Sequence, residues 1–525
     1  MPADRHRAAL DENASGSAVR MIRSTPECEG VDSRSIDAFL NKVEEKGFEL
    51  HSFMLCKGSN VIAEAWWSPY RADRRHMLHS LTKSVGVMGV GIAIGQGCFD
   101  LDTPVISFFP DELPSQVSPN LEMMTLRHLL TMTTGHATGI SGGEWRTIRT
   151  SWVAEFFKEP IVEKPGSRFI YSSASSYMLS AIVQKTTGRT LRDYVNECVF
   201  RPLSIDNFEW DSSPEGITSG GNGLSLTTEA IAKIGVLHLQ RGEWRGRQVL
   251  PKQWVDAATS PHLKDVWMGA FDGRRMQAGG EVSVGAGGER HRGYGYQWWI
   301  GPDAAYYAYG IFGQYCVVLP RQNAVIAFTA AIPAPESRLL ELVWSELAPA
   351  LAGRQPQPDG PNAASLMKRL ANLAFEPPPY RPSDLQQKIS GGTYIFEANA
   401  DDAVLCSLTF TDDACRFVLT DARGAHTVKA GLGSWIEGET TMTGNKLHHQ
   451  YQPPHLEVAA SGTWLRANVF EMTWIYPETA FRDSVRCTFA GDRISLDRSV
   501  NVNTSGTVRP TIHGTLQAAS DTRSQ

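Results

Sequence analysis

Apolar and polar positions recur with two different periods along the chain, and the change of period divides it. Between Ser33 and Gly47, Ile36, Phe39, Leu40 and Val43 fall at helical spacing and predict an amphipathic helix. His51 to Trp67 reads as two apolar runs about the turn Lys57-Gly58-Ser59-Asn60, a hairpin. A long apolar, glycine-rich helix is expected from Ser80 to Gly97. Further helices are expected within 125–260, among them Ser172 to Thr187 and Thr227 to Arg241. Strand patterns return at Tyr294 to Ile300, Ala304 to Tyr309, Gln314 to Leu319 and Ala324 to Ala330. A helix with Leu339, Leu340, Val343, Trp344 and Leu347 follows. Strands at both ends with helices between predict one antiparallel sheet built from both ends of the segment, with a helical insertion beside it. A doubly wound sheet would alternate strand and helix throughout.

Residues 351–387 interrupt this pattern. Prolines 356, 358 and 361 precede a short helix and prolines 377, 378, 379 and 382 follow it, which reads as a linker. From 388 to 516 the period is two: Val404, Cys406, Leu408 and Phe410 alternate with smaller or polar neighbours, and Asp412-Asp413 marks a turn. This region is expected to be a separate β-sandwich or barrel. Residues 1–30 read as a loose arm, 31–350 as the main domain and 517–525 as a tail. The fold class is therefore α+β with an all-β C-terminal domain.

Composition narrows the picture without redirecting it. Of 525 residues, 42% are hydrophobic and 20% charged, as in ordinary folded chains. A net charge of -6 gives nothing to attract polyphosphate, so nucleic acid is not expected as a partner. The eight cysteines form no C-x-x-C pair and are read as scattered thiols in a reducing compartment. No secretory signal is visible in the N-terminal stretch, and the uncharged run from Ser84 to Phe99 is too short to span a bilayer. A cytoplasmic location without a membrane span is the expectation. The oligomeric state is left open.

The strongest chemical signal is Ser80-Leu81-Thr82-Lys83 at the start of the glycine-rich helix. Residues three apart share a helix face, so the Ser80 hydroxyl and Lys83 amine can meet. A serine needs a base to become a nucleophile, and a buried lysine becomes a candidate because burial disfavours its charged form. The helix start also places backbone N–H groups beside the serine. A second element is Gly166-Ser167-Arg168-Phe169-Ile170-Tyr171-Ser172-Ser173. There Tyr171 falls where an extended segment turns into a helix. A phenol beside a lysine can have its ionised form favoured and act as a base, although a core tyrosine would look the same. The third element is Ala308-Tyr309-Gly310-Ile311-Phe312-Gly313-Gln314, whose glycines suggest close backbone approach and an oxyanion donor.

Three elements in this order resemble the serine β-lactamase and penicillin-binding-protein superfamily, in particular its class C-like hydrolases. Leu101-Asp102-Thr103-Pro104-Val105 and the run from Thr125 to Gly135 are similar to stretches of that family, and the likeness covers about 30–350. The resemblance implies a β-lactamase/transpeptidase-like antiparallel sheet flanked by helices with a helical subdomain. It implies Ser80 as nucleophile, Lys83 as its partner and Tyr171 as base, with Gly310, Ile311, Gly313 and Gln314 at the oxyanion and substrate side and no metal or other cofactor. The family's third motif often begins with Lys or His, whereas this chain has Ala308. That departure resembles the amidase and esterase branch around 6-aminohexanoate-dimer hydrolase. The broad group also includes peptidases of linearised cyclic peptides such as linearised microcystin. The expected substrate is a small molecule or short peptide, cleaved at an amide bond. A carboxylesterase, a β-lactamase and a non-catalytic binding protein are the alternatives. Trp298, Trp299, Tyr306, Tyr307 and Phe312 are candidates for an apolar cleft, with about half of them expected to be ordinary core.

Other motifs count for less. Gly139-Ile140-Ser141-Gly142-Gly143 matches a nucleophile elbow but lacks the buried strand before it. Gly86, Gly89, Gly91 and Gly95 loosely resemble a dinucleotide loop, yet no strand precedes them, so helix packing explains them better. His448, His449 and His455 are read as a surface loop rather than a metal site. The β region is expected to be non-catalytic, since it offers no nucleophile–base pair.

Overall fold

The structure is a computed structural model. It describes residues 20–140, 147–271, 275–277, 290–353, 355, 357–358, 360–442, 444, 447–449 and 453–517. Two strands from the start of the chain, β1 (Glu49–Lys57) and β2 (Asn60–Trp66), join six from later on: β3 (Leu263–Trp267), β4 (Arg290–Tyr294), β5 (Trp299–Ile300), β6 (Tyr306–Gly310), β7 (Gln314–Leu319) and β8 (Ala324–Ala331). Their order across the sheet is β2-β1-β8-β7-β6-β5-β4-β3, and every pairing is antiparallel. The sheet is thus assembled from both ends of the segment, as the order of elements predicts. The run from Tyr294 to Ile300 is broken into two strands, because Gly295 turns the chain and donates its N–H to the Trp298 carbonyl at 2.8 Å. Strand β3 escapes sequence reading because Leu-Lys-Asp-Val-Trp carries no clear alternation.

Helix α1 (Ser33–Glu45) starts where the Asp32 side chain accepts the Arg34 N–H, and it buries Ile36, Phe39, Leu40 and Val43 against the sheet. Phe39, Phe53 and Phe328 stack there with centroids 5.5–6.1 Å apart. Behind the opposite face lie α2 (Thr82–Gly95), α3 (Ser173–Thr187) and α4 (Thr228–Leu239), in one apolar core with Val318, Val325 and Ala327.

Helix α2 is buried on nearly every side, which is why its sequence lacks a polar face. Its glycines are contact points. A Cβ at Gly89 would lie 2.8 Å from Leu191, one at Gly95 2.9 Å from Pro251, and one at Gly91 2.2 Å from the Trp254 ring. Helix packing, not a phosphate loop, accounts for these glycines.

Two expected boundaries move. Residues 20–30 are not a loose arm: Ser24 donates to Val61, Val61 donates to Ile22, and Arg23 pairs with Glu64 and Glu229. Within 351–387, helix α5 (Pro361–Ala371) sends Leu366 and Leu370 into the core beside α1, while Arg369 pairs with Asp37 and Glu44. Helix α5 is thus bound to the main domain, while Pro379 and Arg381 hydrogen-bond Thr463 of the C-terminal region.

The C-terminal region is a closed barrel. Among the described residues its ten strands are β9 (Thr393–Phe396), β10 (Leu405–Phe410), β11 (Ala414–Asp421), β12 (Gly424–Leu432), β13 (Ile436–Thr440), β14 (Leu456–Arg466), β15 (Val469–Ile475), β16 (Arg482–Ala490), β17 (Arg493–Val500) and β18 (Ile512–Leu516). The parallel pairing of Gly431 and Leu432 with Ser461 and Gly462 joins β12 to β14 and closes the ring. Cys406, Leu408, Phe417, Met472, Trp474 and Cys487 fill its apolar core. All eight cysteines are free. No helix among the described residues is long and apolar enough to cross a membrane.

The barrel is seated on the main domain. Met77 donates its N–H to the Glu478 carbonyl at 2.8 Å, Arg482 pairs with Glu49 at 2.6 Å, and Phe312 and Ala331 belong to the barrel's apolar core. Exposed pairs such as Arg71–Glu437 add at most about 1 kcal/mol each, so the apolar seat dominates.

The glycine contacts of α2 are testable. Gly91→Ala forces its Cβ into Trp254, and overpacking of this kind costs about 1–3 kcal/mol. A lowered thermal midpoint in a fluorescence melt is expected, and an unchanged midpoint would mean that Trp254 gives way.

Candidate active site

Ser80 lies in the short turn His79–Leu81 that leads directly into α2. The turn enters through His79 in the left-handed region, at φ 49°. Lys83 follows one helical step later and is 1% exposed. Its Nζ is 3.0 Å from Ser80 Oγ, 3.1 Å from Ser173 Oγ and 2.6 Å from the Gly221 carbonyl. Burial lowers the Lys83 pKa to about 7. A neutral amine has two protons and one lone pair. The protons suit Gly221 and Ser173, and the lone pair then faces the Ser80 hydroxyl.

Tyr171 completes the cluster. Its hydroxyl hydrogen-bonds Ser80, Lys83 Nζ is 4.9 Å from its ring centre, and its ring stacks on Trp299 at 5.7 Å. Burial pushes the phenol up, and the hydrogen bond with Ser80 offsets this only in part. The expectation that the lysine favours the phenolate is therefore reversed: desolvation outweighs it, and the resting phenol keeps its proton. Gly139 crosses the Tyr171 carbonyl so closely that a Cβ there would lie 1.8 Å away, and Ser172 Oγ accepts the Ile140 N–H at 3.2 Å. The glycine of the supposed elbow thus packs against the tyrosine, while Ser141 lies outside the described residues.

Opposite this group stands the hairpin between β6 and β7. Gly310 approaches the Ser80 turn so closely that a Cβ would lie 2.0 Å from the Leu78 carbonyl. Here the close approach expected of the glycine is to the chain's own backbone. Ile311, Phe312 and Gly313 form the turn, with Phe312 at φ 67° and Gly313 at φ 94°. Gln314 faces inward. Its amide donates to the Ile311 carbonyl at 3.1 Å and the Ala330 carbonyl at 2.9 Å, and it accepts the Ala330 N–H at 3.2 Å. Its polar atoms are occupied by backbone, which corrects its reading as a substrate contact. Ala308 is buried in apolar surroundings, and β6 carries no cation.

The aromatic candidates are mostly core. Trp298 packs on His238 at 4.4 Å and on Tyr306, and Tyr307 bonds His291 at 2.8 Å. Trp299 and Phe312 are the ones that touch the site, through Tyr171 and through His79 respectively.

Sequence reading missed Ser173 and Gly221. Both lie beside glycine or serine pairs, and Gly220-Gly221 was the available signal: a Cβ at Gly220 would lie 2.2 Å from the Ser176 carbonyl of α3. It also misplaced His448, which is buried, bonds Asp483 at 2.7 Å and stacks on Phe481 at 4.4 Å. Asp483 in turn pairs with Arg498, so His448 belongs to a buried ion cluster rather than a surface loop. His449 sits 6.2 Å from both His79 and Phe312, and only His455 is exposed as expected.

A family model described as Beta-lactamase matches residues 37–346, more than half of the chain. The chain belongs to that family and is a β-lactamase-family serine hydrolase. Among its relatives, 6-aminohexanoate-dimer hydrolase of Paenarthrobacter ureafaciens is 26% identical over 305 residues, 55% of this chain and 74% of that protein. Esterase EstB of Burkholderia gladioli is 29% identical over 154 residues, 26% of this chain and 38% of that one. The octameric penicillin-binding protein homologue from Pyrococcus abyssi, a solved structure, is 15% identical with a TM-score of 0.46. The match covers 92% of this chain and 99% of that one.

The buried amine sets a pH dependence. Lys83 must lose its proton to accept one from Ser80, so kcat/KM is expected to fall on the acid side with a midpoint near its pKa of about 7 and to level off above it. A pH–rate profile checks this, and a rate that is flat from acid to alkaline pH would remove Lys83 from the role. Tyr171→Phe keeps the ring and removes the hydroxyl. Activity should drop by about 10²- to 10⁴-fold with the fold intact, whereas a change below about threefold would make Tyr171 structural.

Proposed function

We propose that the chain cleaves an amide or peptide bond of a small, linear substrate through an ester on Ser80. The observation that carries this is the contact of the buried Lys83 and Tyr171 with the Ser80 hydroxyl. Ser80 Oγ attacks the carbonyl carbon while its proton passes to neutral Lys83. The oxyanion is held by the N–H groups of Ser80 and Ile311. The proton then moves by way of the Tyr171 hydroxyl to the departing nitrogen, the C–N bond breaks and the amine leaves. Water attacks the ester, gives up a proton to the same pair and restores Ser80, releasing the acid.

Two features favour an amide. An amine leaves only after protonation, and a phenol that burial keeps protonated is ready to supply that proton. The Ala308 position offers no cation for the carboxylate of a β-lactam. The likeness to a relative named 6-aminohexanoate-dimer hydrolase supports the same reading, and the likeness to one named an esterase supports small esters as side substrates. Linearised cyclic peptides fit the proposed class. Intact Ser80, Lys83 and Tyr171 argue against a binding protein without turnover, and the negative net charge against a nucleic-acid partner. A cytoplasmic site of action is part of the proposal.

Ser80→Ala should abolish hydrolysis of linear peptides, amides and p-nitrophenyl esters and should prevent labelling by a phosphonate. Mass spectrometry of products from a peptide library identifies the bond cut. Efficient cephalosporin turnover without amide or peptide cleavage would overturn the substrate class and leave the nucleophile standing.

A further inference from the structure

We propose that Gln314 and Glu336 are positioning residues that hold the oxyanion turn by clamping the peptide plane next to Ile311. The inference rests on the reading of the Ile311 N–H as an oxyanion donor. Ile311 begins a three-residue turn in which Phe312, a bulky residue, takes φ 67°. Such a conformation is unfavourable for a residue with a Cβ and persists only where its surroundings enforce it. The enforcing contacts are specific. The carbonyl end of the Ile311–Phe312 peptide accepts from the Gln314 amide at 3.1 Å, and its N–H end donates to Glu336 Oε1 at 3.0 Å. Both ends of one peptide plane are therefore held by buried side chains. The Phe312 carbonyl is held as well, by the Ile332 N–H at 3.0 Å.

Glu336 is itself constrained. It is 6% exposed, and it receives the Tyr309 hydroxyl and its own backbone N–H besides Phe312. Gln314 is itself anchored on Ala330 in β8, its Nε2 donating to that residue's carbonyl and its Oε1 accepting that residue's N–H. The clamp thus ties the turn to the sheet on one side and to the segment after β8 on the other. Rotation of the clamped plane would turn the preceding peptide, which carries the Ile311 N–H. A rotated donor no longer points where the negative charge develops.

The test uses the full chain and p-nitrophenyl butyrate. Removing an oxyanion donor outright costs about 10²–10³ in kcat, so Glu336→Ala and Gln314→Ala, which misdirect it, are expected to lower kcat by about 10- to 100-fold with KM changed less than about threefold. Glu336→Gln keeps an acceptor for the Phe312 N–H and should recover kcat to within about threefold of wild type. Inhibition by a boronic acid, whose adduct on serine is tetrahedral and charged, should weaken in step with kcat, which a loss of stability alone would not produce. If the alanine variants do not fold, Tyr309→Phe keeps the ring and removes one hydrogen bond from Glu336, and a fall in kcat of about 3- to 10-fold is expected. Wild-type kcat and boronic acid affinity in folded variants, or a loss confined to KM, overturn the proposal. Ser80→Ala run alongside separates the two readings. If it is inactive while the clamp variants are unaffected, only the clamp fails; if it retains turnover, the nucleophile reading fails and the clamp with it.

Discussion

Keeping one amine dry is the constraint from which most of this architecture follows. Lys83 is useful to Ser80 only while its charged form is disfavoured, and water would restore that form. Burying a lysine is costly unless its donors are used. The fold supplies the Gly221 carbonyl and Ser173 for that purpose. To bring them within reach, α2 must be covered on nearly every side, and its glycines let Leu191, Trp254 and Pro251 come close. The same seclusion raises Tyr171, so one dry pocket leaves the lysine near neutrality and the tyrosine protonated. The same burial acts in opposite directions on groups of opposite charge type.

A second constraint concerns backbone. His79 and Phe312 both occupy left-handed conformations, one just before Ser80 and one in the facing turn, and their rings meet edge to face at 5.4 Å. Neither is glycine, so each position is held by what surrounds it. Phe481 packs on both rings, at 6.2 Å from His79 and 5.7 Å from Phe312. The barrel therefore packs against both the turn that carries Ser80 and the turn that faces it. Phe312 lies in the barrel's own apolar core. The accessory domain and the active site share side chains, which is a closer relation than a tethered module would have.

The parts legible in the sequence are those whose geometry is local. Ser80 and Lys83 meet because three residues on a helix bring side chains to one face, wherever the helix is placed. Apolar runs gave strands of the main sheet and period-two runs the β domain, and strands at both ends of the helical stretch pointed to the antiparallel sheet. Each of these needs only neighbours in the chain.

Only the tertiary structure decided the rest, because it depends on residues far apart in the chain meeting in a dry interior. Gly221 lies 138 positions from Lys83 and Ala330 lies 16 from Gln314, and no local period encodes either contact. Gln314 turns inward because the backbone polar groups beside it needed partners. His448 is buried because Asp483 and Phe481 fold over it, although its own neighbours in sequence are polar and proline-rich. The direction of the Tyr171 shift is likewise a property of the pocket: a nearby lysine argues for the phenolate and desolvation against it, and the depth of burial decides. Sequence by itself therefore singled out Ser80, Lys83 and Tyr171 as candidates, and the fold brings the three together. Their protonation, and the backbone that aims them, were set by what the fold excludes from the site, since electrostatic strength and donor direction depend on water and on distant contacts rather than on spacing along the chain.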